Sequence, residues 1–166
     1  MKTLNLFLVL LFTGSITMCA QKSPKQTADG KADGVTITID YSAPSVRGRT
    51  IWGGLEKYNK VWRAGANENT TVKFDSNVSV NGNALAAGKY GFFIIPKEEG
   101  DWTVIFNTKN DSWGAFSYKE EEDALRVDIS PEFVDDVQEQ LEYSVNDKGI
   151  RFAWEKVRLF IPVSAQ

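Results

Sequence analysis

The sequence predicts an all-β domain: an antiparallel two-sheet β-sandwich of jelly-roll-like or immunoglobulin-like outline, with about nine strands and long loops. Three observations predict it. Segments with period-two alternation of apolar and polar residues recur along the chain. Turn residues separate them, among them Pro44, Asn81-Gly82, Pro96 and Lys148-Gly149. Helical spacing is confined to the short stretch after Ser130, so a layered sheet architecture is the remaining way to bury the apolar faces.

Residues 1–20 read as a secretory signal, with Lys2 as its charge, Leu4–Phe12 as a short apolar core and small or neutral residues up to Ala20. That apolar run is shorter than the roughly 20 residues a membrane span needs. Two processing routes fit: cleavage after Ala20, or lipid attachment at Cys19. Either places the protein outside the cytoplasm, in the periplasm or secreted, with membrane contact only if Cys19 is lipidated. Gln21–Gly34 is polar and has no large apolar residue, so it reads as a flexible linker, and the domain itself as residues 35–166.

Val35, Ile37, Ile39 and Tyr41 share one face of the first predicted strand, which Pro44 ends. Thr71–Asp75 and Asn77–Val80 resume the alternation, and Asn81-Gly82 is a hairpin signal because both central residues of a type I′ turn need positive φ. Lys89–Ile95 is a continuous run of β-formers and predicts a central strand buried on both faces, with Trp102–Phe106 as its hairpin partner. Leu125–Ile129 alternates again. Pro131–Asp136 reads as loop or one helical turn, Gln138–Asn146 as strand, and Ile150–Trp154 with Val157–Ile161 as a closing hairpin. The acidic cluster Glu120–Asp123 reads as a solvated turn.

Composition excludes much chemistry. The chain has no His, and no Cys follows Cys19. Ser-His-Asp and Cys-His nucleophiles, the commonest zinc sites and internal disulfides are therefore absent from the mature domain. Removing residues 1–20 takes away one Lys and leaves 18 basic against 22 acidic side chains, a net charge of −4, which disfavours nucleic acid as a partner. No glycine-rich turn leads into a helix carrying Lys-Ser/Thr, so no phosphate loop is present. No cofactor or metal site is expected.

The candidate site lies in Tyr41–Thr71, a long stretch without a period that holds Arg49, Trp52, Trp62, Arg63, Asn67 and Glu68. Trp113 belongs to a second irregular segment. Two guanidinium forks beside an amide and a carboxylate can grip a carboxylate, a phosphate or sugar hydroxyls, and loop tryptophans can form a platform for a sugar ring or cation. The same residues also fit a structural reading: Glu68 pairs Arg63 or Arg49 to pin the loop, and Trp52, Trp62 and Trp113 fill the space between loop and sheet. Trp102 and Trp154 sit in alternating strands and are assigned to the core. A catalytic carboxylate pair, Glu68 with Asp75, Asp111 or Asp123, has no spacing to fix its separation, so no catalytic residue is assigned.

Several blocks together carry a family resemblance: Tyr41–Arg49, Ile51-Trp-Gly-Gly54, Val61-Trp-Arg-Ala-Gly-Ala-Asn-Glu68, Leu85–Tyr90, Trp102–Asn107, Trp113–Tyr118 and Asp123–Arg126. Through them the chain resembles the bacterial domain-of-unknown-function family numbered twenty-nine eleven, over Val35 to Val163. The resemblance implies a secreted or lipid-anchored protein and brings no established activity. Three functions stay open: a non-catalytic extracytoplasmic binding module for a glycan, peptide or small anion, which is the expectation; a structural or assembly protein of the envelope; and a hydrolase using Glu68 as acid or base.

Overall fold

The computed structural model describes residues 22–166. The expected signal and the candidate lipidation position Cys19 lie outside the described residues. Ten strands form: β1 Lys25–Ala32, β2 Val35–Ser42, β3 Thr71–Phe74, β4 Val78–Val80, β5 Asn83–Leu85, β6 Gly88–Ile95, β7 Trp102–Asn107, β8 Asp123–Ile129, β9 Glu132–Asn146 and β10 Gly149–Ala165. A six-stranded sheet runs β1-β2-β3-β6-β7-β8 and a four-stranded sheet β5-β4-β10-β9. Neighbouring strands pair antiparallel throughout. The fold is the predicted all-β sandwich.

Local sequence explains most elements. Val35, Ile37, Ile39 and Tyr41 of β2 are all buried, so the alternation does put one face in the core. Asn81 and Gly82 have φ of 46° and 81°, as the hairpin between β4 and β5 requires. Between the sheets, Trp52, Trp62, Trp102, Trp154 and Phe152 form one aromatic cluster. Within it Trp62 stacks on Trp154 with centroids 5.5 Å apart, and Trp52 meets Trp102 edge-on at 4.6 Å. β6 is covered on both faces as predicted: Phe92 and Ile94 face the main core, while Phe93 on the other side packs against Tyr118 at 5.1 Å.

Three expectations are corrected. The stretch read as a flexible linker contains β1, which pairs with β2 from Lys25↔Ser42 to Ala32↔Val35. It is an edge strand whose side chains are mostly exposed or half-buried, so it needs little apolar content. Its turn is Asp33-Gly34, with φ of 47° and 84°. Second, Pro131–Asp136 makes no helical turn, because β9 runs from Glu132 and pairs with β10 there. Third, the predicted closing hairpin is a single 17-residue strand, β10. Glu155 adopts a φ of 53°, and the register shifts on both sides of it, so a bulge bends the strand where a turn was expected.

Candidate functional site

The irregular segment between β2 and β3 replaces missing sheet. β3 is only four residues long, which would leave the upper half of β6 without a partner on that side. Thr70 O accepts from Phe92 N at 2.8 Å, Trp62 exchanges backbone bonds with Ile94 at 2.8 and 2.9 Å, and Asn59 N donates to Pro96 O at 2.8 Å. The segment thereby satisfies the β6 backbone that β3 does not reach.

This docking divides the predicted site residues. Trp62 is buried, and its indole N–H donates to Gly65 O at 3.2 Å. Trp52 turns its ring into the aromatic cluster. Arg49 donates to Val46 O at 3.0 Å and to Ser45 O, closing its own loop. All three are engaged within the fold, and Arg49 closes its loop through backbone carbonyls and not through the expected pair with Glu68.

Arg63, Asn67, Glu68 and Trp113 come together elsewhere. Gly114 N donates to Asn67 O at 3.1 Å and Asn69 N to Ser112 O at 3.0 Å, so Glu68 and Trp113 face each other across a short antiparallel bridge. Gly114, at φ 66°, leaves room for Arg63: a Cβ there would lie 3.2 Å from Arg63 Nη1. Trp113 is 58% exposed, and Phe116 on the same loop is 90% exposed. The far end of the loop is tied down where the Tyr118 hydroxyl donates to Asp123 Oδ2 at 2.6 Å and Asn107 Nδ2 donates to Asp123 Oδ1 at 2.7 Å. The acidic cluster is therefore not all solvated, because the Asp123 side chain is only 6% exposed.

The family model described as protein of unknown function, DUF2911, matches residues 23–163. The chain belongs to this family. Among curated proteins and solved structures none matches the chain. The DUF2911 match takes in β1 and ends within β10, so it covers both sheets.

In this DUF2911 chain the expected Arg–Glu clamp takes a different form. Glu68 pairs with Lys25 Nζ at 3.0 Å, a residue from β1, and has no ion pair with Arg63 or Arg49. Its own backbone N–H and Lys25 hold the carboxyl below its ordinary range, so Glu68 is an ionised carboxylate. Arg63 and Arg49 both act electrostatically on Glu56, an acid the sequence reading passed over. Burial pushes the Glu56 carboxyl from 4.5 up to about 7, against the opposing pull of Arg63 and Arg49. Two polar atoms at the bridge are enclosed without a hydrogen-bond partner in the protein: the donor Arg63 Nε and the acceptor Glu68 Oε2. Phe116 was also missed. Its exposure depends on the loop path, although its place in the Trp113–Tyr118 block was a usable signal.

Proposed function

We propose that this protein is a non-catalytic extracytoplasmic binding module that takes a glycan on Trp113 and Phe116, with Arg63, Asn67 and Glu68 as its polar contacts. The observation that carries the reading is the outward display of two large aromatic rings, 58% and 90% exposed, on a loop bonded at both ends. Exposed rings of this size cost solubility unless they are used, and a flat apolar ring complements the C–H face of a sugar. Sugar hydroxyls both donate and accept, which suits the half-exposed Glu68 carboxylate opposite Trp113. A small anion is served less well, because the ionised Glu68 carboxylate stands opposite Trp113 at the same site. The lowered pKa of Glu68 also speaks against its acting as a general acid.

Calorimetric titration with oligosaccharides of glucose, mannose and N-acetylglucosamine tests the proposal. Saturable binding to one series is expected, and Trp113→Ala should weaken it at least tenfold, about 1.4 kcal/mol. Undiminished binding by Trp113→Ala, or no heat with any series, overturns it. Cell fractionation with an epitope-tagged chain tests the location, and retention in the cytoplasm would refute that part.

A further inference from the structure

A hollow of about 580 Å³ lies on β9 and β10 and shares no residue with the loop site. The bulge at Glu155 creates it. Gln138 pairs with Glu155 and Phe133 with Val157, so the β9 segment Val134–Val137 stands opposite Lys156 alone. Such an excess on one strand bends both strands. Arg151 and Ala153, before the bulge, and Arg158 and Phe160, after it, then line one concavity. Ala153 is small, which leaves the volume open. The shape is fixed by Arg158, whose Nη1 donates to Glu155 O and Val157 O at 3.0 Å each and whose Nη2 donates to Asp136 O at 2.8 Å.

Of the four charged lining residues, Arg158 holds backbone carbonyls and Glu142 accepts from Gln138 at 3.3 Å, which leaves one charge of each sign unused. The side chains of Arg151 and Glu132 make no hydrogen bond or ion pair among the described residues. Phe160 adds an aromatic surface, 39% exposed. A preformed hollow of a few hundred cubic ångströms with convergent polar groups suits a small ligand. A guanidinium matches a carboxylate in bidentate geometry, and a carboxylate accepts from an ammonium.

We propose that this hollow binds an apolar α-amino acid or short peptide in its zwitterionic form, the ligand carboxylate on Arg151, its ammonium on Glu132 and its side chain against Phe160. The inference does not depend on the glycan reading. Calorimetry of the purified protein uses L-leucine and Leu-Leu as probes, with N-acetyl-leucine, which lacks the ammonium, and leucinamide, which lacks the carboxylate. Leucine or Leu-Leu should bind, and which binds tighter tells a free amino acid from a peptide. Each blocked analogue should bind at least tenfold more weakly. Arg151→Gln and Glu132→Gln should each lower affinity at least tenfold with unchanged melting temperature, since both side chains are exposed. Trp113→Ala should leave leucine binding unchanged. No heat from either probe up to about 10 mM, equal binding of a blocked analogue, or an effect in only one of the two charge variants overturns the proposal.

Discussion

Tyr118 holds Asp123 through a 2.6 Å hydroxyl–carboxylate hydrogen bond, and the bond closes the loop that displays Trp113 and Phe116. Tyr118 also lies edge-on to Phe93 at 5.1 Å, so one side chain joins the loop to the outer face of β6. Tyr118→Phe keeps the ring contact and removes the hydrogen bond. Asp123 then keeps Asn107 at 2.7 Å and a longer approach from Arg126 at 3.5 Å. Losing a hydrogen bond to a charged group should lower stability by about 1.5–3 kcal/mol. Urea unfolding measures that loss, and hydrogen exchange should show faster exchange at Asn110–Ser117. A variant as stable as wild type with an unchanged loop would show that the bond does not hold it.

Trp62 and Trp113 should separate in their effects, although sequence alone treats them alike. Trp62 is 4% exposed and stacked on Trp154, so Trp62→Ala should cost about 3–5 kcal/mol. Trp113 is a surface ring, and Trp113→Ala should change stability by no more than about 0.5 kcal/mol. Chemical denaturation of the two variants side by side measures the contrast. Similar losses in both would place Trp113 in the core's energetics and remove it from the proposed binding surface.

Glu56 gives a pH signature. Its folded-state pKa is raised from 4.5 to about 7, mainly by burial. Between those values the folded state keeps a proton that the unfolded state has lost, so this group makes stability fall as pH rises through the window. Glu56→Gln removes the titration. The stability gap between variant and wild type should therefore move in the variant's favour by about 1–3 kcal/mol from pH 4.5 to pH 7. Urea melts at several pH values give the gap directly. A gap independent of pH means that Glu56 titrates as an ordinary surface acid.

The legible part of the fold is the part whose signal is local. Alternation at Val35–Tyr41, the Asn81-Gly82 turn and the unbroken apolar run of β6 each state their structure within a few residues. The illegible parts depend on distant partners. The bend of β10 at Glu155 arises from a mismatch in length with β9, which neither strand shows alone. Of the candidate site, the cluster Arg63, Asn67, Glu68 and Trp113 was legible as a set of residue types. Which tryptophans face inward was not, because that is decided by the docking of Trp62 on Ile94. Lys25, the partner of Glu68, was hidden for the same reason as β1 itself.

β1 offers the sharpest test of that last point. All side chains of β1 but Ala32 are exposed or half-buried, so polar composition fits a strand as well as a tether. Gly30 tells the two apart. It pairs with Ile37 and lies so close to β9 that a Cβ would come within 2.6 Å of Val145 Cβ and 3.0 Å of Val145 O. Contacts that short force side chain or backbone to move. Gly30→Val should therefore destabilise the domain by about 1–3 kcal/mol, the range for overpacked sites, despite the intrinsic preference of Val for strands. Gly34→Val is the control at the turn: its Cβ would meet nothing within 4 Å, but its φ of 84° disfavours any L side chain, so that loss should be insensitive to truncating Val145. Val145→Gly, which removes the Cβ met at 2.6 Å, should instead restore part of the stability lost in Gly30→Val, as a double-mutant cycle reads. If residues 25–32 were a tether, Gly30→Val would be silent and the cycle would show no coupling.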